Sequence, residues 1–454
     1  MGRPGAAVFH AHDFMTNADL IQRSLAHVWH PCTQMKLHES QPPVPIARAE
    51  GVWLYDCDGK RYLDGISSWW VNLFGHGHPH IKAALRDQLD TLDHVMLAGF
   101  THRPVVELSE RLAALTGLGH AFYGSDGASA TEIALKMSAH YWRNTGKPEK
   151  CQFIGVAGGY HGETIGALAV TDIALFREAY APLVRLAATV PSPDARAAAP
   201  GERAADVARR AAASLQRWLE QHHAQTAALI LEPMVQCAAG MAMHDAAYLR
   251  EARALCDRYD VHLIADEIAT GFGRTGTMFA HQQSGIRPDF ICLSKGLTGG
   301  TLPLSAVLTT DEVYAAFYDD DFSRGFLHSH SYTGNPLACR AALATLELFE
   351  QTDALTRNLS LAQTVTRAFA PLTSHPRIRN ARQLGMLWAW DVHTSMPNFS
   401  QRYHQHAMAH GVLLRPIGRT IYAMPPYVMD KETAAHLAHG ALAALIDTLA
   451  EGVG

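Results

Sequence analysis

His262-Leu263-Ile264-Ala265-Asp266-Glu267 is an apolar run that ends in two carboxylates, and Phe290-Ile291-Cys292-Leu293-Ser294-Lys295-Gly296 is a second run that ends in a lysine. Both runs have the length and the apolar character of buried strands. In an open α/β sheet, ligands bind beyond the carboxyl ends of the strands. The two runs therefore predict a site at which Asp266 and Lys295 face the same ligand.

Short apolar stretches alternate with amphipathic stretches on both sides of these runs. Such alternation indicates a mainly parallel sheet that is covered by helices. The predicted strands are residues 152–156, 227–231, 262–265, 290–293 and 305–309, and the predicted helices are residues 80–94, 104–115, 127–142, 204–222 and 246–259. The predicted fold class is therefore α/β.

The two ends of the chain have a different pattern, and 454 residues are too many for a single core. The elements predicted there are a hairpin at 52–64 that turns at Asp58-Gly59, a helix from Pro336, and strands at 387–392 and 420–424. We expect a large domain at residues 66–340 and a smaller α+β domain built from residues 1–65 and 341–454.

The composition argues against several classes of partner. A net charge of −5 and a sequence pI near 6.6 give no electrostatic basis for nucleic-acid binding. The apolar runs are far shorter than the ~20 residues of a membrane helix, and residues 1–13 lack the apolar core of a signal peptide. The seven cysteines are scattered and form no CxxC pair, which predicts a reduced, cytoplasmic protein.

Two patterns suggest other functions. Gly271-Phe272-Gly273-Arg274-Thr275-Gly276 matches the dinucleotide fingerprint, but no helix pattern follows it and the carboxylates before it would repel a pyrophosphate. His76-Gly77-His78-Pro79-His80, together with His328 and His330, suggests a metal-binding or storage protein. The glycine and proline of this motif indicate a loop, and no carboxylate is spaced to help. We therefore predict a tight loop for the glycines and no metal site for the histidines.

An acid and an amine at neighbouring strand ends suit pyridoxal 5′-phosphate (PLP). Lys295 would form the Schiff base with PLP, and Asp266 would pair with the pyridine nitrogen and keep it protonated, which makes the ring an electron sink. Burial lowers the pKa of a lysine and makes its amine a nucleophile and a proton carrier. For an isolated Asp and Lys a structural ion pair is the simpler interpretation, and the neighbouring motifs are what favour PLP.

Two of these motifs suit the phosphate and the ring of PLP. Gly124-Ser125-Asp126-Gly127-Ala128-Ser129 precedes the predicted helix at 127–142, so free backbone N–H groups can bind an anion there. The alternative for this motif is a capping turn with Ser125 or Asp126 as the N-cap. Tyr160-His161-Gly162 follows the strand at 152–156, and an aromatic ring at this edge can stack on a flat cofactor.

Together these motifs resemble the class III aminotransferases, which are PLP-dependent enzymes of fold type I. The matching motifs, in the order of that family and over nearly the whole chain, are Tyr160-His161-Gly162, Ile264-Ala265-Asp266-Glu267 with residues 271–276, Ser294-Lys295-Gly296 and Thr333-Gly334-Asn335-Pro336-Leu337-Ala338. The resemblance implies that Lys295 carries the Schiff base, Asp266 is the pyridinium partner and Tyr160 stacks on the ring. It also implies a homodimer with its active sites at the interface.

The same resemblance implies which residues hold the phosphate of PLP. Gly127 and Ala128 would contact it from one chain, and His330 and Ser331 would reach it from the partner subunit. Ala128 replaces a usual serine and Ser331 a usual threonine. Since the N–H group of residue 128 and the hydroxyl of residue 331 remain, both changes should alter cofactor affinity more than the type of reaction.

A narrower set of motifs resembles the members of the family that convert 8-amino-7-oxononanoate to 7,8-diaminononanoate in biotin biosynthesis. These motifs are Trp29-His30-Pro31, Ser67-Ser68-Trp69-Trp70, His94-Val95-Met96, Gly299-Gly300-Thr301, Arg415-Pro416 and Ile421-Tyr422-Ala423-Met424-Pro425-Pro426-Tyr427. They imply that Trp69 and Trp70 line the substrate pocket together with Tyr160. They also imply that Arg415 binds the substrate carboxylate and that Ser329 borders the substrate.

The amino donor stays open at this point. The resemblance implies S-adenosylmethionine in a ping-pong reaction, but Cys32 stands where the best-known relatives have a tyrosine at the substrate, and lysine is an alternative donor. Many ω-amino-acid aminotransferases carry a glutamate just after a Glu-Pro-x-x-Gln segment, and residues 232–238 lack it. This argues against an ω-amino-acid aminotransferase. An aminomutase of the same fold is a further alternative, which would need no stoichiometric amino acceptor.

Overall fold

A sheet of seven strands forms the centre of the protein, in a computed structural model that describes residues 15–451. In spatial order the strands are His120–Gly124, Ser305–Thr309, Phe290–Leu293, His262–Asp266, Thr226–Leu231, Gln152–Val156 and Ala188–Val190. All neighbours pair in parallel except those of Ser305–Thr309, which runs antiparallel to both of its neighbours. The predicted α/β fold with a mainly parallel sheet is confirmed.

The three central strands are buried along their whole length. Successive side chains of a strand point to opposite faces of the sheet. Ile264 accordingly belongs to one apolar core, while Leu263 and Ala265 belong to the core on the other face. Because both faces are covered, these strands need continuous apolar sequences, and this is the pattern that made them predictable.

Two edge strands of this sheet were not predicted. His120–Gly124 and Ala188–Val190 lie at opposite edges and are partly exposed. Neither segment is among the strands that the sequence analysis predicted, so both are additions to the predicted sheet. Neither strand has the long apolar run of a central strand, because each pairs on one side only.

Helices cover both faces of the sheet and continue into the C-terminal part of the chain. The right-handed α-helices are Asn17–His27, Pro79–Thr91, Arg103–Thr116, Gly127–Asn144, Ile165–Val170, Ala174–Arg177, Ala204–His222, Ala247–Arg258, Asp311–Ala315, Pro336–Gln351, Ala354–Ala368, Ala370–Thr373, Phe399–Ala409 and Lys431–Ala450. Short 3₁₀ turns are found at Met35–Glu39, Glu178–Leu183, Ala195–Ala197, His223–Gln225, Ala280–Ser284, Lys295–Thr298 and Phe322–Arg324. Helix Gly127–Asn144 packs on one sheet face through Ile133 and Ala134, which fixes its N-terminus near the strand ends.

The two ends of the chain meet in a second sheet. Its strands, in spatial order, are Ile46–Glu50, Trp53–Asp56, Arg61–Asp64 and Val412–Leu413. The middle two form the predicted hairpin. A third sheet consists of Ile378–Leu384, Leu387–Val392 and Thr420–Ala423, and a two-stranded sheet consists of Val235–Gln236 and Ala242–Met243. The domain boundaries at residues 65 and 340 stay a prediction.

No helix of residues 15–451 is long and apolar enough to cross a membrane. All seven cysteines lie in this part of the chain and are free thiols. The prediction that residues 1–13 contain no signal peptide concerns residues outside those that the structure describes.

The hairpin turn of the third sheet touches the loop at 271–276, close to the end of a central strand. Gly385 in this turn has φ +55, and a Cβ there would overlap the backbone of the loop. Beside it, the N–H of Met386 donates to the carbonyl oxygen of Arg274 at 2.8 Å. The close approach of the two backbones therefore fixes the position of the loop and requires glycine at residue 385.

We expect Gly385→Ala to lower the free energy of unfolding by at least about 3 kcal/mol, because left-handed strain of about 1–2 kcal/mol is added to a backbone overlap. Gly117→Ala is the matched control, since Gly117 has φ +71 with no atom within 4 Å of an added Cβ. In Gly117→Ala the free energy of unfolding should fall only by the left-handed strain of about 1–2 kcal/mol. Denaturant titration of both variants measures the difference, and equal losses would contradict the close packing at residue 385.

Candidate active site

Lys295 and Asp266 lie at the ends of neighbouring parallel strands. Asp266 is the last residue of its strand and pairs with Cys292. Lys295 follows the strand Phe290–Leu293 and has φ +41, a left-handed conformation that is unusual for lysine. The structure thus brings together the two groups that the sequence placed at one sheet edge.

The amine of Lys295 is enclosed without a polar partner. Within residues 15–451 its Nζ has no hydrogen bond or salt bridge, and it lies 5.2 Å from the centre of the Trp70 ring. Burial lowers the pKa of Lys295, although the negative charges of Asp266, Cys237 and Glu232 act in the opposite direction. A lysine with a lowered pKa is neutral more often, and the neutral amine is the nucleophile.

His161 holds the carboxylate of Asp266. The Nδ1 of His161 donates to Oδ2 of Asp266 at 2.6 Å, and the N–H of Ile268 donates to Oδ1 at 3.0 Å. Burial alone would lower the pKa of His161, but the hydrogen bond and charge of Asp266 and the charge of Glu232 outweigh it and raise the pKa. The side chain of Asp266 is therefore buried and held in a fixed orientation by His161 and by the backbone of Ile268.

Glu232 is a third acidic group of the site, and the sequence analysis gave it no role. It directly follows the strand Thr226–Leu231, and its two carboxylate oxygens accept the N–H groups of Tyr160 at 3.2 Å and Cys237 at 3.0 Å. Burial raises the pKa of Glu232 to about 7, and the charge of Asp266 adds to this effect. The sequence signal that could have identified Glu232 is its place at the end of a strand, beside the strand ends that carry Asp266 and Lys295.

The loop before helix Gly127–Asn144 presents free N–H groups. Asp126 is the N-cap, and its side chain accepts the N–H of Ser129 at 2.8 Å. The first helical residues, Gly127 and Ala128, have no acceptor for their N–H groups within the described chain. The capping turn and the anion site are therefore compatible, because the cap satisfies a later N–H group than the two that stay free.

Gly162 makes a close contact between this helix and the loop that carries Tyr160. A Cβ at Gly162 would lie 2.5 Å from Cβ of Ala128, and the residue has φ +121. Only glycine combines this conformation with this contact. The motif Tyr160-His161-Gly162 is thereby held against the start of the helix.

Tyr160 lies on the edge of the site. Its hydroxyl donates to Oε1 of Glu163 at 2.9 Å, and its ring centre lies 5.5 Å from that of Phe176. Burial raises the pKa of Tyr160, followed by the hydrogen bond to Glu163 and by the charges of Glu163 and Cys32. Tyr160 therefore stays a neutral phenol, and Cys32 is one of its neighbours.

The segment Ser67–Trp70 forms one turn of left-handed helix. Its four residues have φ values of +52, +46, +71 and +74. Each left-handed residue other than glycine costs about 1–2 kcal/mol, so the surroundings must hold the turn in place. Sequence patterns carry no signal for this conformation, although both tryptophans were predicted to line the pocket.

The two tryptophans each face a basic side chain. The guanidinium carbon of Arg415 lies 5.4 Å from the Trp69 ring centre, and Trp70 faces Lys295. Trp69 retains 47 % of its exposure, whereas Trp70 is buried and donates from Nε1 to the hydroxyl of Tyr422 at 3.1 Å. Arg415 is exposed and has no salt bridge within residues 15–451.

The remaining predicted residues lie on exposed segments. Ser329 and Ser331 are exposed, as is Cys32, which has φ +50. Nδ1 of His330 and Oγ of Ser125 share a hydrogen bond of 3.1 Å within one chain. The resemblance implied that His330 reaches the phosphate of PLP from a partner subunit. The contact with Ser125 places His330 beside residues 124–129 of its own chain, so His330 can also reach the phosphate within one chain.

The alternative patterns have structural explanations. His76 contacts Asp64 at 2.9 Å and His80 contacts Glu347 at 2.5 Å. No group of three or more His, Cys, Asp or Glu side chains within residues 15–451 could hold a metal ion. The loop at 271–276 is followed by a 3₁₀ turn at Ala280–Ser284 and not by a helix at its last glycine, as the sequence analysis expected.

A parallel sheet with an amine and a carboxylate at neighbouring strand ends, beside a helix N-terminus, defines a PLP-dependent transferase of fold type I. The profile of the family described as aminotransferase class-III matches residues 35–445. The chain belongs to this family, and it is a PLP-dependent aminotransferase.

Individual relatives agree with this assignment. The chain is 42% identical over 442 residues to the adenosylmethionine-8-amino-7-oxononanoate aminotransferase of Helicobacter pylori, a match that covers 96% of this chain and 99% of the relative. The crystal structure of the enzyme of the same name from Methanocaldococcus jannaschii is similar, with a TM-score of 0.88, 33% identity and coverage of 94% and 98%. A PLP-bound amine transaminase from an uncultivated Pseudomonas species has a TM-score of 0.88, 30% identity and coverage of 93% and 99%.

The side chains of the site fit PLP. Lys295 offers an amine without a partner, Asp266 offers a buried carboxylate, and Gly127 and Ala128 offer two free N–H groups. The Nε2 atom of His161 is also buried and has no hydrogen-bond partner in the described chain. These are the groups that an aldehyde, a pyridine nitrogen and a phosphate require.

The raised pKa of Glu232 predicts a pH dependence of stability in the cofactor-free protein. The folded chain keeps the proton of Glu232 up to about pH 7, whereas an unfolded glutamate releases it near its ordinary value of 4.5. The folded state therefore binds more protons in this window, and the free energy of unfolding falls by roughly 3 kcal/mol as the pH rises through it.

Glu232→Gln should remove this decline, because glutamine does not titrate. Unfolding free energies at pH 4.5, 6 and 7.5 would be compared for the two proteins. Any loss of hydrogen bonds in the variant is a constant offset, so only the difference in slope counts. Identical slopes would contradict the assignment of the raised pKa to Glu232.

Proposed function

We propose that this protein transfers an amino group from S-adenosylmethionine to 8-amino-7-oxononanoate and so forms 7,8-diaminononanoate in biotin biosynthesis. The observation that carries the proposal is the tryptophan pair between Lys295 and Arg415. An amine and a guanidinium joined by two aromatic faces are complementary to an acceptor whose keto group and carboxylate are joined by an aliphatic chain. The names of the relatives support the same substrate.

The residues at the strand ends would hold PLP. Lys295 Nζ would bind its aldehyde carbon, Asp266 would pair with its pyridine nitrogen, and Tyr160 would stack on its ring. Gly127 and Ala128 would donate their N–H groups to its phosphate, with His330 and Ser331 as further donors. When bound, PLP supplies the electron sink that lets the amino group move between donor and acceptor.

Lys295 moves the proton that accompanies the transfer. Its lowered pKa makes Nζ available as a base, so it accepts the proton from the amino-bearing carbon of the donor. In the second half of the reaction the same Nζ returns a proton to the carbon of the acceptor. Asp266 keeps its orientation during both halves because His161 and the N–H of Ile268 hold its two oxygens.

Arg415 binds the carboxylate of the acceptor. The guanidinium is exposed at the mouth of the site and can donate two parallel hydrogen bonds. Trp69 and Trp70 cover the aliphatic chain between this carboxylate and the keto group and exclude water from it. Ser329 borders the acceptor. Cys32, beside Tyr160, contacts the donor, where a thiol takes the place of a tyrosine of the best-known relatives.

A homodimer in the cytoplasm is part of the proposal. Met96, Phe100, Leu327 and Tyr332 keep 54%, 56%, 67% and 66% of their exposure. The two segments that carry them lie together, since the ring centres of His94 and Tyr332 are 4.8 Å apart. An exposed apolar patch of this kind is typical of a subunit interface. The free cysteines support a reducing compartment.

An absorbance titration tests the reaction. The band of the lysine-bound cofactor should be bleached by S-adenosylmethionine and restored by 8-amino-7-oxononanoate. Lys295→Ala should lower turnover by at least about 10³-fold, since it removes both the nucleophile and the base. Lys431→Ala, on a remote helix, is the control. A band that responds to lysine but not to S-adenosylmethionine would reject the donor only, and a protein that binds no PLP would reject the proposal.

Mixing two inactive variants tests whether the site lies at a dimer interface. Lys295→Ala would be refolded with a variant that carries His330→Ala and Ser331→Ala. If the phosphate residues come from the partner subunit, heterodimers have one intact site, and about a quarter of the activity should return. If they act within one chain, as the contact of His330 with Ser125 suggests, no activity returns.

A further inference from the structure

The left-handed turn Ser67–Trp70 has a single buried acidic residue beside it. Asp64 is fully buried at the end of the strand Arg61–Asp64. Its Oδ1 accepts the N–H of Ser68 at 2.9 Å, and its Oδ2 accepts the hydroxyl of Ser68 at 2.7 Å and lies 2.9 Å from Nε2 of His76. Both oxygens of Asp64 are therefore engaged with the turn or with the histidine behind it.

The strand gives Asp64 a rigid position. It pairs with Trp53–Asp56 on one side and with Val412–Leu413 on the other. Val412–Leu413 is followed directly by the segment that contains Arg415. The same strand therefore supports both the turn with the tryptophans and the arginine at the mouth of the site.

The left-handed turn decides where the two tryptophans point. In an extended segment, consecutive side chains lie on opposite faces, and only one tryptophan could face the cleft. In a helical turn they are separated by about 100°, so Trp70 can face Lys295 while Trp69 faces Arg415. The conformation of Ser67–Trp70 thus sets the apolar surface between Lys295 and Arg415.

The two ends of the turn are anchored differently. Ser67 and Trp70 are held by groups other than Asp64. Oγ of Ser67 donates to the carbonyl oxygen of Met424 at 2.7 Å. Nε1 of Trp70 donates to Tyr422, and the carbonyl oxygen of Trp70 accepts Nη2 of Arg274 at 3.3 Å. Within residues 15–451 the side chain of Ser68 bonds only to Asp64. Loss of the Asp64 contacts should therefore release Ser68 and Trp69, at the carboxylate end of the site, before it disturbs Trp70 at the reacting end.

We propose that Asp64 is a positioning residue that selects the acceptor: by holding Ser68, it keeps Ser67–Trp70 left-handed and keeps Trp69 against Arg415, so that a long aliphatic chain with a terminal carboxylate fits. This inference rests on the proposed function, because it assumes that the acceptor lies along the tryptophans. The left-handed strain of Ser67–Trp70 thereby has a function in binding the acceptor.

Single-turnover kinetics of the PLP-loaded protein test the inference. The enzyme is first converted to its amino form with S-adenosylmethionine, and the return of the cofactor band is followed at increasing 8-amino-7-oxononanoate. Asp64→Asn keeps the shape of the side chain but gives up one acceptor oxygen. It should raise the half-saturating concentration by about 10-fold, with the saturated rate within about twofold, which corresponds to about 1.4 kcal/mol of binding. Asp353→Asn is the same exchange at a left-handed residue remote from Asp64. It should change neither the half-saturating concentration nor the saturated rate.

A pair of variants at residue 68 tests the left-handed conformation itself. Ser68→Ala and Ser68→Gly both remove the hydroxyl, but only glycine adopts a positive φ without strain. We expect the half-saturating concentration to rise about fivefold for alanine and clearly less for glycine. A half-saturating concentration that rises as much for the glycine variant as for the alanine variant would overturn the role of the conformation.

The outcomes separate the inference from the proposed function. A wild-type protein that does not react with 8-amino-7-oxononanoate contradicts the proposed function. If the wild type reacts and Asp64→Asn has unchanged half-saturation, only the inference is overturned. An Asp64→Asn protein that loses the cofactor band as well would also overturn it, because Asp64 would then support the fold in general and not the acceptor end of the site.

Discussion

Burial of charged groups at the ends of parallel strands is the constraint on which this active site depends. Helices cover both faces of the sheet, and at the strand ends Asp266 is buried and Lys295 is partly buried. Asp266 is compensated by two hydrogen bonds, whereas the Lys295 amine has no polar partner in the described chain. The charged form of Lys295 is therefore disfavoured, and the packing that stabilises the sheet also makes the lysine reactive.

The charge of Asp266 affects the pKa of two other buried groups of the site. Two carboxylates, Asp266 and Glu232, share one buried region with His161, and charge repulsion between them is costly in such surroundings. A raised pKa of Glu232 and a raised pKa of His161 are two responses to the same problem. Asp266, whose charge contributes to both shifts, has both of its oxygens held by hydrogen bonds.

The sequence predicted those parts of the structure that are governed by burial. The strands at 152–156, 290–293 and 305–309 have the predicted bounds, because both faces of the sheet demand apolar residues. His120–Gly124 and Ala188–Val190 were missed because edge strands need fewer such residues. The approach of Asp266 to Lys295 was predictable, since parallel strands end at one edge and each strand carried one functional group.

The parts that were not predicted depend on contacts between distant segments. The left-handed turn at Ser67–Trp70 is held by Asp64, Met424, Tyr422 and Arg274, and no local sequence pattern indicates such partners. Glu232 was visible in the sequence, but its raised pKa arises from Asp266 and from burial. The same holds for His330, whose contact with Ser125 spans 205 positions.

The distribution of strain indicates where substrate choice resides. Asp266 ends a regular strand, and Lys295 directly follows the segment of the neighbouring strand Phe290–Leu293 and Ser294. The left-handed turn and the exposed residues Cys32 and Arg415 lie at the mouth, where one side chain can change without disturbing the sheet. Under the proposed function, the strained turn directs the buried chemistry to one acceptor, and Asp64 is one of the groups that hold this turn. Strain persists only where surrounding contacts determine it fully. Here some of those contacts come from Met424, Tyr422 and Arg274. The others come from Asp64, at the end of the strand Arg61–Asp64, which also pairs with the strand leading to Arg415.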